Sequence, residues 1–377
     1  MRKSKLFFLA ALIISSVFLC CGFDTAEDKM QAEYESYIYG IALEWYQKAD
    51  EDSTEADLEA YLNDKSFEWY QKADQSNAYV QYNLGWCYSY GAGTKQDYVK
   101  AFEWYQKAAN QGYPSALNNL GACYERGEGT AQNYKKAFEL YQKAAKQDYA
   151  DAQYNLGNCY YYGRGIEQNR EQAFNWFKKA AEQAQVEAQC MMGLCYELGQ
   201  GTVKDYVKAF EWYQKAAQQG HAYAQYNLGN CYYNGKGTTQ NYKKAFEWFQ
   251  KSANQGYIGS LNNLGVCYEN GQGIEQNYKM AFELYKTAAE QGYYLAQDNL
   301  GLCYYNGRGT ELDYTKAFEW WQKAAEQGFD ESQYRLGICY ELGIGTKTYK
   351  AKAIEWYRKS AAQGHPYAIQ ALEELSK

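Results

Sequence analysis

A Leu-Gly pair recurs along the chain with its glycine at Gly85, Gly121, Gly157, Gly193, Gly229, Gly265, Gly301 and Gly337. The spacing is 36 residues every time, and Met192 once replaces the leucine. A fixed period in this range marks a stacked repeat array, in which each unit buries its apolar surface against its neighbours. The repeat governs the reading of every other motif.

Each unit reads as two helices. In helix A, apolar or small residues fall five before the glycine, one before it, two after and three after. In the second copy these are Ala116, Leu120, Cys123 and Tyr124, the i, i+4, i+7, i+8 pattern of one helical face. A Gly-x-Gly pair such as Gly127 and Gly129 stops the helix, because glycine tolerates the left-handed backbone of a helix end. After a polar loop, Asp97, Asn133, Asn169, Asp205, Asn241, Asn277 and Asp313 stand as N-caps of helix B, with Thr348 in that role in the last copy. Helix B follows as Lys-Ala-Phe-Glu-Trp-Tyr-Gln-Lys-Ala-Ala. Its broad apolar face fits a helix that touches both its partner and the next repeat. Glu103 and Lys107 form an i,i+4 pair on its outer side. A glycine ends most copies, with Asp148 and Ala184 as exceptions. One helix pair cannot bury these faces alone, and stacking makes the core continuous.

The signature Ala-x-x-x-Leu-Gly-x-x-Tyr-x-x-Gly-x-Gly, then Lys-Ala-x-x-Trp-Tyr-x-Lys-Ala-Ala-x-Gln-Gly, resembles the Sel-one-like repeat family, a branch of the tetratricopeptide-like superfamily. The resemblance covers roughly residues 79–364. It implies an all-α, right-handed α-solenoid of tandem helix-turn-helix repeats that holds partner proteins in a concave groove. Some cysteine-rich secreted members are described as weak penicillin-binding, β-lactamase-like hydrolases. Those have two cysteines per repeat, at a spacing that forms a disulfide. Here there is one, inside helix A, and this departure counts against the activity.

Four segments are expected. Residues 1–22 read as a signal peptide: Arg2, Lys3 and Lys5 precede an apolar run from Leu6 to Leu19. The run is short for a membrane-spanning helix of about 20 residues. Cys20 and Cys21 close it. Simple cleavage is expected, with lipidation at Cys20 or Cys21, or an uncleaved anchor, as alternatives. Residues 23–78 are a worn, helical N-terminal cap, in which Ala42–Asp50 and Ser66–Asp74 both look like helix B. Residues 79–364 hold eight full copies, and 365–377 close the array with one helix. Copies one and five, two and six, three and seven, and four and eight resemble each other pairwise, which points to a duplicated block of four.

Composition agrees with an all-helical array with glycine turns: 43 tyrosines and only two prolines. The net charge is −7, and there are no basic runs. Nucleic acid is therefore not an expected partner, since its binding rests on cations that neutralise phosphates.

Chemistry has few places to reside. Eight of the eleven cysteines stand two after the repeat glycine, from Cys87 to Cys339. This is the buried stripe, where cysteine acts as a small hydrophobe. Equivalent positions of stacked repeats lie roughly 10 Å apart, too far for disulfides, which need Cα atoms within about 7 Å. Cys190 falls outside the column and is the best candidate for a reactive or cross-linking thiol. His221 and His365 hold the same place four units apart and cannot meet, so no histidine pair serves zinc or a triad. No phosphate-binding Gly-x-x-x-x-Gly-Lys-Ser/Thr and no Ser-x-x-Lys occurs. No catalytic residue, metal site or cofactor is assigned.

The remaining signal lies opposite the core stripe of helix A. Four residues after the glycine stand Ser89, Glu125, Tyr161, Glu197, Tyr233, Glu269, Tyr305 and Glu341; Trp86 stands one after it in the first copy. From the second copy on, Glu and Tyr alternate. Two origins are open: a groove lined by aromatic anchors and glutamates that favour a basic or hydroxylated partner, or a relic of duplication. The leading expectation is an exported, non-enzymatic adaptor, periplasmic, secreted or membrane-anchored, that binds a protein or peptide through Trp86, Glu125, Tyr161, Glu197, Tyr233, Glu269, Tyr305 and Glu341. The alternatives are the penicillin-binding hydrolase and a thiol-based redox or metal protein. The sequence leaves the oligomeric state open.

Overall fold

The computed structural model describes residues 25–49 and 53–375. The signal-like segment, with Cys20 and Cys21, lies outside the described residues. Among the described residues every regular element is an α-helix. Two N-terminal helices, α1 (Ala26–Lys48) and α2 (Glu55–Lys72), precede eight pairs. These are α3 (Ala78–Tyr90) with α4 (Tyr98–Asn110), α5 (Pro114–Arg126) with α6 (Tyr134–Ala145), α7 (Ala150–Tyr162) with α8 (Arg170–Glu182), and α9 (Val186–Leu198) with α10 (Tyr206–Gln218). Then follow α11 (Ala222–Asn234) with α12 (Tyr242–Asn254), α13 (Ile258–Asn270) with α14 (Tyr278–Glu290), α15 (Tyr294–Asn306) with α16 (Tyr314–Glu326), and α17 (Asp330–Leu342) with α18 (Lys350–Ala361). Helix α19 (Pro366–Leu375) follows. Contacts divide the chain into two compact units. One ends at Ala188 and takes in Gln200–Thr202; the other comprises Gln189–Gly199 and everything from Val203. Within each unit the pairs stack as an α-solenoid, helix B packing on its own helix A and on the helix A that follows.

The repeat glycine sets how closely the two helices of a pair approach. A Cβ built on Gly121 would stand 2.7 Å from Cε1 of Tyr141, and on Gly229 2.5 Å from Cε1 of Phe249. Any larger residue would push the ring out. A glycine in mid-helix costs about 1 kcal/mol of helix propensity, and the buried ring offsets it with about 1.5–3 kcal/mol. The two loop glycines do different work. Gly127, at φ 75°, ends the helix and donates to Cys123 O at 2.8 Å. Gly129 lies against the preceding helix B: a Cβ there would fall 2.0 Å from Tyr98 O. The second glycine therefore sets the distance between repeats.

The terminal Gln of helix B staples neighbouring repeats. Gln111 Nε2 donates to Ser76 O at 2.8 Å and to Gln81 Oε1 at 2.9 Å; Gln327 does the same to Gly292 O and Gln297 Oε1 at 3.0 and 2.8 Å. Asp or Asn caps helix B in pairs one to seven, as at Asn133, which accepts from Lys136 N at 3.0 Å. In the last pair the cap is Tyr349 rather than Thr348, and it makes no side-chain cap bond. The register counted from Gly337 falls on Tyr349, whose phenol is too long to fold back onto the first turn. The outer face of helix B also differs from expectation. Lys107 Nζ sits 3.7 Å over the Trp104 ring, and the same contact recurs at Lys215 on Trp212 and Lys323 on Trp320. The expected carboxylate pairing appears in the last copy, where Lys359 reaches Glu355 at 2.8 Å.

Two non-glycine residues end helix B with left-handed backbone: Asp148 at φ 63° and Ala184 at φ 64°. Asp148 recovers part of the cost by accepting from Gln153 and Gln183 at 2.7 and 3.1 Å. Alanine offers no such bond. Ala184→Gly should therefore stabilise the first unit by about 1 kcal/mol, seen as a higher urea midpoint. Asp148→Gly should give a smaller gain or a loss, because it also removes both glutamine bonds.

Candidate functional site

The column four residues after the repeat glycine turns out to answer helix B. From the second pair on, where helix B carries a tyrosine, the column is a carboxylate that accepts its hydroxyl; in the first pair Tyr105 meets Ser89 instead. Tyr141 donates to Glu125 at 2.7 Å, Tyr213 to Glu197 at 2.7 Å, Tyr285 to Glu269 at 2.9 Å and Tyr357 to Glu341 at 2.6 Å. Burial first, then the facing carboxylate, drives the phenols of Tyr141, Tyr213 and Tyr285 far above their ordinary 10.0, so each keeps its proton and donates it. Where helix B carries a ring without a hydroxyl, the column is itself a tyrosine. Tyr161 lies 6.0 Å from Phe177, Tyr233 6.4 Å from Phe249, and Tyr305 5.5 Å from Trp321, centroid to centroid.

A second layer covers the same column. In the third, fourth and sixth to eighth repeats the residue between the two loop glycines reaches back over it. Arg164 pairs with Glu125 at 2.9 Å and Arg308 with Glu269 at 3.0 Å. Gln200 accepts from Tyr161, and Gln272 accepts from Tyr233 at 2.5 Å. Lys236 follows Glu197 in the same register. Ile344 follows Tyr305 and lines, with Leu302, Trp321, Arg335 and Ile338, an apolar cavity of about 160 Å³. The contacts seen match charge to charge at Arg164 and Arg308, amide to phenol at Gln200 and Gln272, and apolar to ring at Ile344; the first junction, where Glu128 follows Ser89, departs.

The predicted site residues are thus unequally available. Tyr161 is 7% exposed, with the Arg170 guanidinium 3.6 Å above its ring. Tyr233, Tyr305, Glu125, Glu197 and Glu269 are half-buried, and Glu341 is exposed. Trp86 is 38% exposed, its ring 5.2 Å from that of Tyr90, which is 66% exposed. The column runs through both units, and the structure groups its members within each unit only through these partner bonds.

Beside the column, helix A is linked to the next helix A by side-chain rungs. Asn155 donates to Asn118 and Asn299 to Asn262, each at 2.9 Å. Asp298 accepts from Arg335 at 2.9 and 3.0 Å and from Ser332 at 2.6 Å. Burial raises the Asp298 carboxyl against the pull of Arg335. At the corresponding place in the fourth repeat stands Cys190, and Asn227 Nδ2 in the fifth is buried without a partner. Sequence reasoning missed both the rungs and the cover. The cover had a signal: Arg164 and Arg308 recur four units apart, each one repeat after a glutamate of the column.

The nine cysteines among the described residues are buried thiols outside any disulfide. Cys190 is 3% exposed, so the candidate reactive thiol is shielded. Burial pushes the thiols of Cys87, Cys159, Cys231, Cys267, Cys303 and Cys339 up from 9.0 to about 12. His221 and His365 each cap a helix, accepting through Nδ1 from Ala224 N at 3.1 Å and Ala368 N at 3.3 Å. Among the described residues no three His, Cys, Asp or Glu side chains gather as a metal site.

These features define a tandem helix-pair repeat scaffold whose polar side chains serve mainly to join one repeat to the next. The Sel1 repeat family matches ten segments: residues 39–49, 63–73, 78–113, 114–149, 150–184, 186–221, 222–257, 259–293, 295–329 and 330–365. The chain belongs to the Sel1 repeat family, whose members are generally non-enzymatic scaffolds for protein interaction. It is similar to a protective antigen of uropathogenic Escherichia coli strains that displays an SLR fold, with 38% identity and a TM-score of 0.67 over 82% of this chain and 67% of that one. It is also similar to a Sel1 repeat protein from Oxalobacter formigenes, with 29% identity and a TM-score of 0.59 over 87% of this chain and 95% of that one. No curated protein matches the sequence.

Two outcomes follow from the packing. The nine described thiols should resist Ellman's reagent in the folded protein and react once it is unfolded in guanidinium. For Cys87, Cys159, Cys231, Cys267, Cys303 and Cys339 the unfolded thiols ionise near 9 and the folded ones near 12, so their contribution to stability is complete below about pH 9 and lost as pH rises toward 12. For the column, Phe249→Tyr alone should destabilise the second unit by about 1–3 kcal/mol, because its hydroxyl meets Tyr233. Adding Tyr233→Glu should recover about 1 kcal/mol or more, measured as the coupling in a double-mutant cycle.

Proposed function

We propose that the protein is an exported, non-enzymatic scaffold that captures a protein or peptide along the outward side of its first helices. The observation that carries this reading is the exposed Trp86–Tyr90 pair. Aromatic side chains held in place by their helix lose little entropy on binding and are frequent anchors. Among the column glutamates, Glu125 and Glu269 are neutralised by Arg164 and Arg308. Glu197 and Glu341 each accept one phenol and form no ion pair among the described residues. These two carboxylates are left for a basic side chain of the partner. Export rests on the basic n-region and apolar run of residues 1–22, with cleavage as the leading route and lipidation at Cys20 or Cys21 as the alternative. No described helix is long and apolar enough to cross a membrane.

The test is capture from the native envelope or culture fluid, with N-terminal sequencing of the captured bait. Trp86→Ala with Tyr90→Ala should weaken capture about tenfold or more at unchanged helicity, and Glu197→Gln with Glu341→Gln should reduce its salt dependence. Capture unaffected by all four changes defeats the groove reading. Covalent labelling by a fluorescent penicillin should be absent; a stable adduct would favour the hydrolase instead.

A further inference from the structure

The regular stacking breaks between the N-terminal helices and the first pair, and a cleft of about 300 Å³ opens there among α1, α2 and α3. That volume is at the small end for ligand pockets, right for one compact molecule rather than a length of chain. Its lining differs from the rest of the helix-A face. No charged side chain borders it. Its polar groups are neutral hydroxyls and amides, and its apolar surface is mostly aromatic rings.

The floor is a ring of phenols. Tyr34 shares a hydrogen bond with Ser66 at 2.8 Å and stacks on Tyr70, centroids 4.8 Å apart. Tyr70 lies within hydrogen-bond reach of both Tyr34 and Tyr79. Burial pushes the Tyr79 and Tyr82 phenols up to about 12, so they stay protonated and neutral. On the rim, Asn63 is half-buried, and its amide has no hydrogen-bond partner among the described residues, although it lines the cleft. Trp86 also lines the cleft, its ring 5.2 Å from that of Tyr90. An exposed indole and neutral donors and acceptors thus line one space of small-molecule size.

We propose that this cleft binds a neutral sugar ring, stacked on Trp86 and hydrogen-bonded by Asn63 and the phenols. A pyranose presents an apolar face of C–H bonds to an aromatic ring and a girdle of hydroxyls that act as both donors and acceptors, as Asn and Tyr do. An anionic ligand finds no cation here, and a cationic one finds no carboxylate. An aromatic side chain of a peptide could stack on Trp86 but would leave the Asn63 amide unanswered, at a cost of about 1–3 kcal/mol. The site stands apart from the protein-binding reading: Trp86 belongs to both, whereas Asn63 and Ser66 belong to the cleft alone.

Saturation-transfer NMR and calorimetry of the purified protein with methyl glycosides of glucose, galactose, mannose and N-acetylglucosamine test it. At least one should bind with a Kd of about 1 mM or tighter. Trp86→Ala should abolish that binding, and Asn63→Ala should weaken it several-fold while leaving capture of a protein partner unchanged. Circular dichroism checks that both variants stay folded, as expected for a surface indole and a half-buried rim residue. Absence of transfer from all four glycosides overturns the proposal. So does binding that survives both substitutions, or displacement of the sugar by N-acetyl-phenylalaninamide at lower concentration, which would assign the cleft to a peptide side chain. Loss of protein capture in Trp86→Ala with glycoside binding intact would separate failure of this proposal from failure of the scaffold reading.

Discussion

Everything in this fold depends on a glycine meeting a ring. Gly85, Gly121 and their successors put bare backbone in the middle of helix A, and an aromatic side chain of helix B lies flat against it. The contact brings the two helix axes close and buries a ring that is 3% exposed or less, as at Tyr105, Phe177, Phe249 and Trp321. Around this closed pair, small residues suffice elsewhere. Ala108, Ala144 and Ala216 are fully buried, and the cysteine two after the glycine fills what the ring leaves. The thiols therefore need no redox role to account for their regularity. They are the residue of suitable volume on a face where every neighbour is fixed, and burial holds them in the unreactive protonated form.

The repeat, the helix pairs, the loop glycines and most of the caps were legible in the sequence because each rests on local chemistry. Periodicity gives a buried face, glycine gives a left-handed backbone, and Asp or Asn gives a cap. What was not legible depended on setting two distant columns side by side. Glu125 and Tyr161 look like alternating groove residues when helix A is read alone. Beside Tyr141 and Phe177 they become complements, a carboxylate for a hydroxyl and a phenol for a bare ring. The choice between a recognition surface and a relic of duplication left out this third cause. Thr348 has the chemistry of a cap but not its register: the last loop places Tyr349 twelve residues after Gly337, and position decides.

The site was legible only in part. Trp86 is exposed where expected, but its neighbour Tyr90 and the cleft beneath it arise from the irregular N-terminal helices, where no period guides the eye. Tyr161 was chosen as an anchor, yet the structure gives its hydroxyl to Gln200 and its face to Arg170. A repeated position is a poor guide to availability, since neighbours in such an array are also repeated and can cover it.

That cover has a consequence for how arrays of this kind grow. The loop residue of one repeat is matched to the column residue of the repeat before it: Arg164 to Glu125, Gln200 to Tyr161, Gln272 to Tyr233, Arg308 to Glu269. Odd and even repeats are thus two kinds of tile with complementary edges. Loss or gain of a single tile would lay a guanidinium on a phenol or an amide on a carboxylate, whereas two at a time leave every seam intact. A change of two repeats keeps this matching, and the copies that resemble each other here stand four units apart, an even number.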